Sequence, residues 1–203
     1  NATFGTTTLT SMGAQDIFVT KLSSSGSWQW AASAGGTNYG YAYGIAADSN
    51  GNAFVTGPFL ANFSFGNTTL SSGSGHDIYL AKIGANGTWM WASEANTIST
   101  TLYRVDASHA ITLDGNDNVY ITGYCDGNIS FGGSLNYTCS TPLFAARFID
   151  SDLDSVDNDH DSCRNGETGW TSNTSTDYDS DGCKDSSEDT DDDNDGVPDT
   201  TDY

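Results

Sequence analysis

"GIAADSNGNAFVTG", residues 44 to 57, returns as "AITLDGNDNVYITG", residues 110 to 123, with Asn52 falling on Asn118 at an offset of 66. In each copy two runs of apolar and β-branched residues flank a polar centre of Asp, Asn and Gly. Those three residue types tolerate the positive φ of a tight hairpin, so each copy predicts two antiparallel strands joined by a turn. The D-x-N-x-N spacing of the turn also reads as half of a calcium loop. The hairpin accounts for the same residues without the distal ligand such a loop would need.

The repetition extends outward from this stretch. "FGTTTLTSMGAQDIFVTKL" (4–22) returns as "FGNTTLSSGSGHDIYLAKI" (65–83) at an offset of 61, and more faintly between Phe131 and Phe148. "GSWQWAAS" (26–33) returns as "GTWMWASE" (87–94). Repeats of this length set the architecture before any local motif does. Within a unit the apolar period is two: Ile17, Val19 and Lys21 point one way, Phe18, Thr20 and Leu22 the other. By the same period Trp28 and Trp30, and likewise Trp89 and Trp91, are expected to share a face as core. One unit is then strand A (41–47), strand B (52–57), a linking stretch "FSFGNTTL" (63–70), strand C (77–83) and strand D (88–93).

A four-stranded antiparallel unit of this length is a propeller blade. "YAYGIAADSNGNAFVTG" (41–57) resembles the seven-bladed β-propeller (SBBP) repeat, and the "FGTTTL", "DIFVTKL" and "GSWQWA" segments complete it. The resemblance implies an all-β fold of antiparallel propeller-blade-like repeats over 1–149. Counting C and D of a first unit, A to D of a second and A to C of a third gives nine strands, or about two and a half blades. That is short of the roughly four to eight blades of a closed ring. An open array leaves two sheet edges and two aromatic blade faces uncovered, which invites pairing with another chain. Head-to-tail contacts of that kind propagate into filaments unless the rotation closes.

The charge is concentrated elsewhere. The net charge of −21 divides into −17 from Asp150 onward and −4 before it. Asp177, Asp179, Asp181, Gly182, Asp185 and Glu188 stand at positions 1, 3, 5, 6, 9 and 12 of a twelve-residue loop. That spacing converges carboxylates on a hard cation, places Gly at the sharp turn, offers the carbonyl of Cys183 at position 7 and lets Glu188 close the shell. Asp191, Asp193, Asp195, Gly196, Asp199 and Asp202 repeat the register, with Val197 at the carbonyl position. A weaker copy runs through Asp150, Asp152, Asp154, Val156, Asn158 and Asp161, with Ser155 in place of the glycine. Asp189 lies off these positions and is expected to matter less than Asp181. The flanks "NGETGWTSNTST" and "GVPDTTDY" have no 3.6-residue apolar period, so no helix pair frames the loops. The segment 150–203 resembles thrombospondin type 3 repeats, even to Cys163 two residues past a twelfth position; the resemblance implies Ca²⁺ in a structural role and an irregular calcium-loop tail.

Cys125, Cys139, Cys163 and Cys183 form no C-x-x-C, and His76, His109 and His160 are scattered, so a zinc site does not fit. Four cysteines allow three disulfide connectivities. Proximity favours Cys125 with Cys139 and Cys163 with Cys183, each contributing about 3 kcal/mol through the unfolded state. Disulfides place the chain outside a reducing cytoplasm, secreted or at a cell surface. Sequons at Asn1, Asn62, Asn67, Asn86, Asn128, Asn136 and Asn173 point the same way and mark candidate glycosylation sites. No apolar run of about 20 residues offers a membrane span and no signal-peptide core remains, as expected of a mature form or a piece of one.

Among function classes, nucleic-acid binding is disfavoured by the acidic balance. An enzyme is not expected: no nucleophile and base pair up, there is no phosphate loop, and the carboxylates are taken by the calcium pattern. The expectation is an extracellular, calcium-stabilised structural or interaction protein that associates with copies of itself into an oligomer or filament. The alternative is a carbohydrate- or protein-binding adhesin module within a larger propeller, presenting Tyr39, Tyr41 and Tyr43 of "NYGYAYG" (38–44) to glycans or cell-surface proteins.

Overall fold

The computed structural model describes residues 1–73, 75–98, 106–125, 127–130, 136–139, 143–148, 152, 154, 156, 161–163, 166–193 and 196–200. Fifteen strands fall within them: β1 (Ala2–Phe4), β2 (Thr7–Leu9), β3 (Ile17–Leu22), β4 (Trp28–Gly36), β5 (Gly44–Ala47), β6 (Ala53–Phe59), β7 (Asn62–Phe65), β8 (Thr68–Ser71), β9 (Asp77–Ile83), β10 (Trp89–Ile98), β11 (Ala107–Leu113), β12 (Val119–Tyr124), β13 (Gly127–Ser130), β14 (Asn136–Cys139) and β15 (Leu143–Phe148). The named strand pairings are all antiparallel. The sheets are β1-β2, β3-β4-β7-β8, β14-β13-β10-β9-β6-β5 and β11-β12-β15. The protein is therefore all-β with partial blade-like repeats, and no sheet closes on itself among the described residues.

The complete blade is β5-β6-β9-β10, the expected A to D order. Backbone bonds from Tyr41 to Pro58 and from Tyr43 to Thr56 carry the A–B pairing N-terminal of β5, close to the expected start at 41. The turn between the strands is held by Asp48, whose carboxylate accepts from the backbone N–H of Asn50 and Asn52 and from the Asn52 side chain. Asp114 repeats all three bonds with Asn116 and Asn118. Each of these carboxylates holds its own turn, which favours the hairpin over the half calcium loop.

The linking stretch departs from expectation. It forms a hairpin, β7-β8, with equivalents β1-β2 and β13-β14, so six strands join the nine that were counted. Phe65 pairs with Thr68 across two residues, and Gly66 takes φ 57°, as Gly5 takes 60° in the first copy. Gly at the first central position is the II′ pattern that suits strand twist. Each later hairpin docks on the C-terminal end of the preceding D strand, Gly35 and Gly36 of β4 meeting Ser64 and Phe63 of β7. That extra pairing carries β10 on to Ile98, past the expected end at 93.

The shared Trp face is also corrected. Lys21 pairs with Trp30 and Leu22 with Trp28, so Gln29 bulges, and a shift of the same kind falls between Trp89 and Trp91. An extra residue in one strand turns the following side chain to the other face. Trp28 accordingly meets Phe4, while Trp30 packs on the cluster of Ile17 and Val19. Each D strand thus gives one indole to each face of its blade.

The main core lies between the first two blades, where Ile17, Val19 and Ala34 pack with Phe65, Tyr79, Ala81 and Ile83. Two indoles join these blades: Trp30 donates to the Ala85 carbonyl at 2.9 Å and Trp89 to the Ser33 carbonyl at 3.0 Å. Burial raises the Tyr79 phenol well above its ordinary range, and its hydroxyl donates to the Tyr41 carbonyl. Cys125 is joined to Cys139 across the third hairpin, Cα atoms 6.0 Å apart. The chain divides into two compact units, 1–112 with 120–146, and 113–119 with 147–203. Residues 149 and 150, between which the sequence places its boundary, lie outside the described residues.

Candidate metal centre

The acidic unit has no strand among its described residues after Phe148. Its order comes from carboxylates folding the backbone around themselves. Asp177, fully buried, accepts from the backbone N–H of Asp181 and Gly182 and from the Ser172 hydroxyl. Gly182 holds φ 86° and Gly196 φ 90°, so both position-6 glycines make the turn that a side chain would strain.

The geometry repeats every fourteen residues. Gly182 N–H donates to Asp177 and Gly196 N–H to Asp191; Tyr178 N–H donates to Asp185 and Asp192 N–H to Asp199. Asp185 and Asp199 in turn donate their N–H groups to the carbonyls of Thr176 and Thr190. In the weaker copy Asp154 accepts from Val156 N–H as Asp181 accepts from Cys183 N–H, both between positions 5 and 7.

Among the described residues three carboxylate groups result, each with one oxygen per residue within 4.8 Å of the others: Asp152, Asp154 and Asp161; Asp177, Asp179 and Asp181; Asp185, Asp189 and Asp192. Positions 1, 3 and 5 of the best loop come together. Positions 9 and 12 do not join them. Asp185 groups instead with Asp189 and Asp192, which the spacing left out. Glu188 turns one oxygen to the Glu167 N–H. The reason is geometric: the chain at 184–189 closes a tight turn, Ser187, Glu188 and Asp189 all donating N–H to the Lys184 carbonyl, and this swings Asp189 toward Asp185.

One side-chain oxygen each of Glu188, Asp189, Asp191 and Asp192 is shielded from solvent without a hydrogen-bond partner. Shielded anionic oxygens at such separations cost free energy until a cation or protons offset them. Desolvation first, then the charges of Asp199 and Asp185, a hydrogen bond with Asp199 and the charge of Asp189, push the Asp192 carboxyl up to about 6. Lys184 lies outside the groups, 2.8 Å from Glu167, whose pKa it lowers by hydrogen bonding. An oxygen-only donor set fits a hard divalent cation such as Ca²⁺ and does not suit zinc or copper.

Of the other expected ligands, Cys183 is buried and bonded to Cys163 with Cα atoms 5.1 Å apart, tying the first and second loops. Val156 is half-buried; Asp193, Val197 and Asp199 are exposed. Asp150, Asn158, Asp195 and Asp202 lie outside the described residues. Among the sequons, Asn1, Asn62, Asn67, Asn86 and Asn173 are exposed, and the side chains of Asn128 and Asn136 lie outside the described residues.

In the other unit, two of the three expected tyrosines, Tyr41 and Tyr43, join a row of rings, while Tyr39 stands exposed apart from it. Tyr41 stacks on Tyr43 at 5.7 Å, Tyr43 on His109 at 5.3 Å, and His109 lies 5.2 Å from Tyr124. Tyr43 and His109 are equivalent positions at the offset of 66. His76 sits at the turn before β9, its carbonyl accepting from Asp106 N–H, and burial lowers its pKa.

A family model for the β-propeller repeat matches residues 29–57, which span most of β4 and all of β5 and most of β6. No match to a curated protein was found. The matched segment and the sheet order agree on an all-β architecture of antiparallel, β-propeller-like repeats, with no ring closed among the described residues.

Proposed function

We propose that this chain is an extracellular structural or interaction protein without catalytic activity, whose acidic tail is folded by Ca²⁺ and whose blades associate with copies of itself. The observation that carries the calcium reading is the set of shielded, unpartnered oxygens on Glu188, Asp189, Asp191 and Asp192 beside three convergent carboxylate groups. The fourteen-residue geometry and the resemblance to thrombospondin type 3 repeats support the same cation, and two disulfides fit an extracellular setting. Among the described residues no helix is long and apolar enough to cross a membrane. Calorimetric titration of the chelator-treated chain with CaCl₂ tests the reading. Saturable binding that magnesium does not reproduce is expected; no heat beyond dilution contradicts it.

A second reading, a glycan-binding adhesin module, is favoured by one observation: the row Tyr41, Tyr43, His109 and Tyr124, with Tyr43 largely exposed. Sugar rings stack on such faces. Binding on a glycan array that Tyr43→Ala abolishes would select it.

A further inference from the structure

Two exposed faces of the described blades repeat faces that are buried between blades. The offset of 61 sets Phe4 on Phe65, Phe18 on Tyr79, Leu22 on Ile83 and Trp28 on Trp89. Their rings keep one arrangement. Phe4 lies 4.9 Å from Phe18 and edge-on to Trp28 at 5.2 Å; Phe65 lies 4.9 Å from Tyr79 and edge-on to Trp89 at 5.1 Å. Burial is where the copies differ. Tyr79 and Ile83 are 0% exposed, inside the cluster that Ile17, Val19 and Ala34 of the first blade complete. Phe18 is 52% exposed, Leu22 50% and Trp28 43%.

The opposite face shows the same relation. In the second blade Phe54 is 0% exposed and Ile78 1%. Thr56, two residues along the strand from Phe54 and so on its face, bonds the Ser108 hydroxyl of the third blade at 2.7 Å. In the third blade the repeat equivalents of Phe54 and Ile78 are Tyr120 and Leu143, exposed by 38% and 70%. Their strand neighbours Ile121 and Phe144, which point the other way, are buried.

We propose that these two exposed faces are the halves of one interface, the Tyr120 and Leu143 face of one copy stacking on the Phe18, Leu22 and Trp28 face of the next. The contact continues between molecules the stacking that joins first blade to second within one. This rests on the self-association reading above and adds the surface and its direction. The occupant is a second copy because the chain carries both members of the pair, and exposed apolar patches of this kind mark association sites. Inside the array a face of the Tyr79 type meets a face of the Ile17 type and never its own kind. The contact is therefore heterologous and propagates head to tail.

Sedimentation velocity over a range of protein concentrations in calcium tests this, with Phe18→Glu and Leu143→Glu. Both side chains are more than half exposed, and hydrogen exchange of β9 checks that each variant folds. The wild type is expected to form species larger than a dimer, and each variant alone to lose association at least tenfold. An equimolar mixture of the two should give a dimer and nothing larger, since one keeps the Leu143 face and the other the Phe18 face. An associating wild type that withstands both substitutions, or a mixture that stays monomeric, overturns the face assignment and leaves self-association standing. A wild type that is monomeric throughout overturns both. Protection of the Phe18 face only on adding a different protein would assign it to another chain and overturn the proposal.

Discussion

Lys82 is fully buried, its ammonium 3.9 Å from Asp48 and 5.1 Å above the Phe54 ring. The same Asp48 carboxylate caps the A–B turn, so one residue serves both the turn and a buried ion pair of the blade core. Removing the lysine leaves the Asp48 carboxylate buried without its counter-charge, so Lys82→Ala is expected to destabilise the blades by about 3 kcal/mol, read from urea midpoints. In the tail, Asp189 and Asp192, which lie outside the spacing rule, gather with Asp185 as closely as Asp177, Asp179 and Asp181 gather with one another. Asp189→Ala is expected to weaken calcium binding at least tenfold, as is Asp181→Ala, whereas Glu167→Gln, which removes a carboxylate belonging to none of the three groups, leaves it within about twofold. Titration calorimetry on the three variants decides this; an unaffected Asp189→Ala would restore the spacing rule.

At the scale of elements, the hairpin β7-β8 depends on the positive φ of Gly66, where a side chain costs about 1–2 kcal/mol. Gly66→Ala should lower the urea midpoint accordingly and expose the β4 and β7 pairing to hydrogen exchange. The A, B, C and D strands were legible because alternation, turn residues and an internal repeat agreed on them. The hairpins had a signal too: "FGN" and "FGT" place Gly at the first of two residues between short alternating runs, but the runs are only three or four residues long and read as links. The bulges at Gln29 and Met90 were not legible. Two-residue spacing assigns one face to both tryptophans, and only the pairing across the ladder reveals the extra residue. The cation groups were partly legible for a similar reason: spacing brings together Asp177, Asp179 and Asp181, while the turn at Lys184 regroups Asp185.

For the whole molecule, the two compact units differ in what holds them: a ring-filled core in one, carboxylates folding their own backbone in the other. The pH response follows from this. Folding without a cation raises the Asp192 carboxyl from its ordinary value to about 6, so the cation-free folded tail binds more protons than the unfolded chain in that interval. Stability of the tail in chelator therefore falls as pH rises from about 4 to about 6, and saturating calcium removes the dependence because it supplies the charge that the proton supplied. The protection that survives in chelator, small beside that in calcium, should be lower at pH 7 than at pH 5 by hydrogen exchange corrected for intrinsic rates. Equal protection would mean that Asp192 is solvated in the cation-free state.

Hydrogen exchange mass spectrometry of the intact, disulfide-bonded chain in excess CaCl₂, in EGTA, and in EGTA with MgCl₂ tests the central claim, that cation binding is the folding free energy of the tail. The predicted result is that peptides from 150–203 lose protection in EGTA and do not regain it with magnesium, while β3 to β15 stay protected throughout. A tail that keeps full protection in EGTA would contradict the account, because the disulfide and backbone bonds alone would then suffice to fold it.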